Sequence, residues 1–186
     1  MGARKIKFPF NEGKALAALA YVASERPGLT PFFVSKVFYL AEKAHVNKYG
    51  RPIVADTYIA MPEGPVPSTI KNYIDENWHW VSEPDARDAA FTVEKKGRGL
   101  PKLMPGRELP NADRLSETDR ECLRDAIAFC EDKSKDEISD ITHLHKAWAN
   151  TDINQPIDYA DFIDDDNPHK DEVLSMVREC AVYSVL

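Results

Sequence analysis

With 186 residues, 43% of them hydrophobic, the chain is long enough for one domain with a substantial core and short for two. It carries 24 Lys and Arg against 31 Asp and Glu, a formal charge of −7, so its average field repels a phosphate backbone and favours basic partners. No apolar run approaches the roughly 20 residues of a membrane span. The basic start MGARKIKFPF lacks the apolar core of a secretory leader, and Cys122, Cys130 and Cys180, without CxxC spacing, read as reduced thiols of a cytoplasmic protein.

In chain order, Asn11 is placed to cap a first helix over EGKALAALAYVASE, where Leu16, Leu19, Ala20 and Ala23 share helical spacing and RPG is the stop. Thr30 as cap and Pro31 at the first helical position open a second helix, with Val34, Val37, Phe38, Ala41 and Ala44 along one face and Gly50 at its end. Pro52 prevents continuation and pushes Arg51 toward extended backbone, so a strand is expected, with Val54, Tyr58 and Ile59 as its β-formers. Gly64 suits a positive φ, Pro65 and Pro67 deny donors to any ladder, and Ser68 is a cap for TIKNYIDEN. The stretch reads as a rigid corner of helix, turn, strand, turn and helix. Such rigidity lowers the entropy lost on folding, and on binding too if the corner touches a partner.

Further along, FTVEKKGRGLPKLMPG alternates, turns at GRG and returns as a small hairpin. Ser116 and Asp119 form the pattern of a capping box before a helix striped by Cys122, Leu123, Ala126, Ile127 and Cys130. A shorter helix follows with Ile138, Ile141, Leu144 and Trp148 on one face. Asn167 as cap and Pro168 at the first position predict a terminal helix bearing Val173, Val177 and Cys180. The fold class is therefore mainly α with a small β element, α+β, in a single helical domain over residues 1–186.

Chemistry is sparse. His143 and His145 sit two apart, which points them to different helix sides rather than at one metal, and His45 continues the apolar face of the second helix as a buried, hydrogen-bonded histidine. Its ring is within reach of a carbonyl in the GRP or GPVP turn. No nucleophile elbow, P-loop or dinucleotide fingerprint occurs, no catalytic residue is singled out, and no cofactor or metal is expected. A metal-assisted hydrolase using His45, His143 or His145 with a carboxylate is the enzymatic alternative. The helix pair followed by a strand also invites a winged-helix reading, but Ser35, Lys36, Glu42, Lys43 and Lys48, its outward residues, are mixed in sign, so nucleic acid is not expected as a partner of this chain alone. A regulator that binds DNA with its partner stays open. DINQPIDYADFIDDDNPHKDE gathers Asp161, Asp164, Asp165 and Asp166 into an acidic face, either a solvated loop or a dock for a basic protein. NWHW, with Trp78 and Trp80, supplies aromatics that serve either as core or as an interface anchor.

The helix ending YLAEKAH, the turn YGRPI, the strand TYIAM and the corner GPVPS, followed much later by ISDITHLHKAW, together resemble the Panacea domain, which includes the SocA-like antitoxins and phage-associated proteins. The resemblance covers roughly residues 12–150 and leaves 151–186, the acidic segment and terminal helix, as an extension. It implies a largely helical fold, no enzymatic role, and neutralisation of a cognate protein toxin by direct contact, with delivery to a protease associated with the SocA-like members. The matching positions are His45, Tyr49, Gly50, Pro52, Tyr58, Met61, Gly64, Pro65, Val66, Pro67, His143 and Trp148.

Overall fold

A computed structural model describes residues 5–75, 89–108 and 112–184. Its helices are α1 (Glu12–Glu25), α2 (Pro31–Tyr49), α3 (Ser68–Ile74), α4 (Glu117–Glu131), α5 (Lys135–His143), α6 (Lys146–Ala149) and α7 (Lys170–Tyr183). Two antiparallel hairpins, β1 (Tyr58–Met61) with β2 (Gly64–Pro67) and β3 (Phe91–Glu94) with β4 (Lys102–Pro105), complete a mostly helical α+β fold. Among the described residues no helix is long and apolar enough to cross a membrane.

Local chemistry explains most boundaries. The Asn11 side chain accepts the Lys14 N–H to start α1, Ser116 and Asp119 close a reciprocal capping box on α4, and Gly50 ends α2 at φ 64°. Thr30 occupies the cap position of α2 without a side-chain capping bond, so the start rests on Pro31, whose fixed φ is already helical. The terminal helix begins at Lys170 rather than at Pro168, because Asn167 turns its amide back onto the Asn47 carbonyl and side chain.

α2 is buried on two sides, which the one-faced reading did not anticipate. One side joins α1, α3, α4 and the β3–β4 hairpin in a core that includes Val34, Val37, Phe38 and Ala41; the other meets a second cluster containing Tyr58, Ala147, Ile157, Phe162, Val173 and Val177. Of the residues expected to face outward, Ser35, Lys36 and Glu42 are at most 3% exposed and Lys43 is 8% exposed. Glu63 and Thr142 meet Lys36, residues 53–55 and Tyr159 meet Glu42, and Asp164 meets Lys43, so of the five only Lys48 stays exposed and the face is not open to a DNA groove.

One strand expectation is corrected as well. Val54 lies outside the strand, its N–H taken by a side chain. The prolines, expected to deny donors to any ladder, do so from within β2, where Tyr58 pairs Pro67 and Ala60 pairs Pro65. They are tolerated because Tyr58 and Ala60 direct their backbone groups the other way, to Ile157, Asn154 and Gln155, so the missing N–H groups belong to the outer edge of β2. Leu144, expected on an apolar face, is 85% exposed because the helix breaks between His143 and Lys146.

Candidate functional site

Glu42 and His45 lie one turn apart on α2 and face the chain as it leaves that helix. His45 is fully buried. Its Nδ1 donates to the Arg51 carbonyl at 2.8 Å, which fixes the ring as the GRP turn reading expected, and Nε2 lies 3.1 Å from both Thr118 Oγ1 and Asp119 Oδ1. Tyr49 packs its ring on the imidazole at 4.7 Å between centroids. Gly50 and Pro52 frame the same turn. A side chain at Gly50 would strike Met176 of α7 at 2.8 Å.

Asp119 closes this end. Its two oxygens take the Ser116 N–H at 2.9 Å, Lys14 at 2.7 Å and Arg51 at 3.2 Å, and Oδ1 lies 3.1 Å from His45 Nε2. Burial alone would raise its pKa, but the bonds from His45, Lys14 and the Ser116 N–H together with the Lys14 charge hold the carboxyl well below the usual range.

Glu42 secures the next residues. Its carboxylate accepts the N–H groups of Ile53, Val54 and Ala55 at 2.8–3.2 Å and lies 3.0 Å from the Tyr159 hydroxyl, and Ala55 adopts φ 60° to complete the cradle. Burial pushes the Glu42 pKa up, while those three N–H bonds and the hydroxyl pull against it. Asp56 continues the pattern. It accepts from Thr57, Thr69 and Ile70, so α3 is capped by a side chain twelve residues upstream rather than by Ser68, whose hydroxyl also donates to Asp56.

The β1–β2 hairpin is the outer part of this assembly. Tyr58 donates its hydroxyl to the Phe38 carbonyl at 3.2 Å, and Trp148 donates Nε1–H to the Met61 carbonyl at 2.8 Å. His143 stacks on Trp148 with centroids 3.9 Å apart, so the late His and Trp of the sequence signature meet the early block here. Gly64, at φ 101°, allows Lys36 to reach the Glu63 carbonyl and, at 3.3 Å, the Thr142 hydroxyl. Burial pushes the Lys36 pKa down to about 8, against the opposing charge of Glu63. Pro65 is buried with Pro67, and Val66 is half-buried opposite Ile59.

The three histidines do not converge. His45 serves the Arg51 turn, His143 the Trp148 stack, and His145 faces the Tyr39 hydroxyl at 3.1 Å with its pKa lowered to about 4 by burial and then by the nearby Lys43 charge. Among the described residues, no group of three or more His, Cys, Asp or Glu is placed to hold a metal ion. Part of the acidic stretch is paired from within. Asp164 pairs with Lys43, Asp165 with Lys146 at 3.0 Å and Lys170 at 2.7 Å, and Asp161 lies 3.9 Å from Lys146, while Asp166 stays exposed. Trp78, His79 and Trp80 lie outside the described residues.

Sequence reasoning missed Glu42, Asp56, Asp119 as an ionic hub, and Tyr159. Only the position of Glu42 one turn before His45 carried a hint. No curated protein and no solved structure matches the chain. A family model described as antitoxin SocA-like, Panacea domain, matches residues 34–149, a span that runs from α2 through the hairpin to Trp148. The chain therefore belongs to the SocA-like antitoxin family and carries its Panacea domain.

Proposed function

We propose that this protein is an antitoxin that binds and neutralises a cognate protein toxin in the cytoplasm. The family membership carries the reading. The geometry supports it: His45, Tyr58, Gly64, Pro65 and Pro67 are consumed in holding the chain around α2, so they act as a rigid frame, and recognition falls to the exterior that frame presents. Free thiols at Cys122, Cys130 and Cys180 suit a reducing compartment. In the SocA-like members the bound toxin is also handed to a protease, and we extend that step to this chain as part of the proposal.

The test is co-expression of the tagged protein with the product of the adjacent gene, followed by purification. A stoichiometric complex that survives gel filtration is the expected result. Recovery of the tagged chain alone, with the neighbour expressed and folded, would count against the reading.

A further inference from the structure

The β3–β4 hairpin is rooted in the core and exposed at its tip. Phe91 and Leu103 are fully buried, and the Gly28 N–H to Leu103 carbonyl bond at 2.7 Å and the Leu103 N–H to Leu29 carbonyl bond at 2.8 Å tie β4 to the turn between α1 and α2. Between Lys95 and Lys102 the chain places four cations, Lys95, Lys96, Arg98 and Lys102, and no carboxylate. All four are exposed, and none makes an ion pair or side-chain hydrogen bond among the described residues. In the acidic stretch, by contrast, Asp164 and Asp165 meet Lys43, Lys146 and Lys170. On this −7 protein the hairpin is a local positive patch.

Beside these cations lies a groove of about 610 Å³. It is lined by the apolar Pro27, Leu100 and Met104, by the cations Lys96 and Lys102, and by Glu94. Leu100 is 69% exposed among the positive charges. A Gly97 turn at φ 59° and the Gly99 N–H to Lys96 carbonyl bond at 3.0 Å hold the tip in shape.

We infer that this hairpin is a docking surface for an acidic, leucine-bearing segment of a protein partner, carboxylates meeting Lys95, Lys96, Arg98 and Lys102 while an apolar side chain fills the groove over Leu100 and Met104. Charge complementarity selects the sign of the partner, and the apolar lining residues select a peptide over a polyanion. None of the described residues lining the groove is aromatic, so among them a nucleic acid strand would find no ring on which to stack a base, and beyond the tip it would run onto a chain of net negative charge. The inference deepens the antitoxin reading and rests on it for the partner, in which the docking segment belongs to the toxin.

The test uses the full chain and a fluorescein-labelled peptide of alternating glutamate and leucine, with glutamate–serine and lysine–leucine peptides and single-stranded DNA as comparisons, read by anisotropy. Binding of the glutamate–leucine peptide, weakened roughly tenfold by Lys96→Glu with Arg98→Glu and several-fold by Leu100→Ser at unchanged melting temperature, is expected. Absence of that binding, equal binding by the charge-reversed variant, or tighter binding of DNA that is lost on charge reversal would each overturn the inference. The toxin complex separates the two levels. A neighbour product retained by wild type and equally by the charge-reversed variant removes this surface and leaves the antitoxin reading standing, whereas a neighbour retained by neither removes the reading itself.

Discussion

Replacing Asp119 by asparagine asks whether the signature histidine and its turn are held by one buried carboxylate. Oδ2 takes the Ser116 N–H and Lys14, and Oδ1 takes Arg51 and lies 3.1 Å from His45 Nε2, so both oxygens are engaged. Asparagine keeps one oxygen and turns an amide N–H₂ toward two of those donors. Breaking a buried ion pair by removing one partner costs about 3–5 kcal/mol, but the Lys14 and Arg51 side chains are 19% and 37% exposed and partly recover water. The expected loss for Asp119→Asn is therefore about 2–3 kcal/mol, a sizeable share of a typical total of about 5–15. With a urea slope near 2 kcal/mol per molar, the unfolding midpoint falls by roughly 1–1.5 M. The pH dependence has a definite sign. The folded carboxyl is held below its ordinary 3.8, so its contribution is complete above that value and is lost as the pH falls below it. Urea unfolding at about pH 7 and about pH 3 should show the wild-type advantage shrinking in acid. A variant within about 0.5 kcal/mol of wild type, or a gap that stays constant through that range, would refute the reasoning.

Other perturbations reach different parts of the frame. Gly64→Ala places a methyl group against the Lys36 ammonium and 2.5 Å from the Thr142 hydroxyl at a φ of 101°, and a loss of about 2–4 kcal/mol by thermal or urea unfolding is expected; an unchanged melting temperature contradicts the hairpin geometry. Trp148→Phe keeps the stack on His143 but strands the Met61 carbonyl, for about 1 kcal/mol; no change would mean water replaces the indole N–H freely. Lys36, pushed down to about 8 by burial, is held against protonation by the fold, so wild-type stability relative to Lys36→Met should rise as the pH climbs from about 8 toward 10.5, and a flat difference argues against burial of the ammonium.

Features governed by neighbours in the chain were legible in the sequence. The Asn11 cap, the Ser116–Asp119 box, the Gly50 stop and the β3–β4 hairpin all follow from residues within a few positions of one another. The His45 bond to the Arg51 carbonyl was also readable, because only six residues separate them. Long-range pairing hid the rest. Periodicity assigns Lys36, Glu42 and Lys43 to the outside of α2, yet each is buried by a partner it could not name: Thr142, the 53–55 backbone with Tyr159, and Asp164. The place of Pro65 and Pro67 inside a paired strand was not legible, since it depends on Gln155 and Ile157 pairing the other side of β1. In the acidic run, the pairing of Asp164 and Asp165 with Lys43, Lys146 and Lys170 likewise joins residues that spacing does not connect.

Antitoxin activity is tested most directly by growth. Cells expressing the product of the adjacent gene from one inducible promoter and this protein from another should stop growing on induction of the first alone and resume growth when both are induced, with the Lys96→Glu, Arg98→Glu variant failing to restore growth at equal protein level. Growth arrest that this protein does not relieve, at levels that saturate the neighbour's product, would contradict the account.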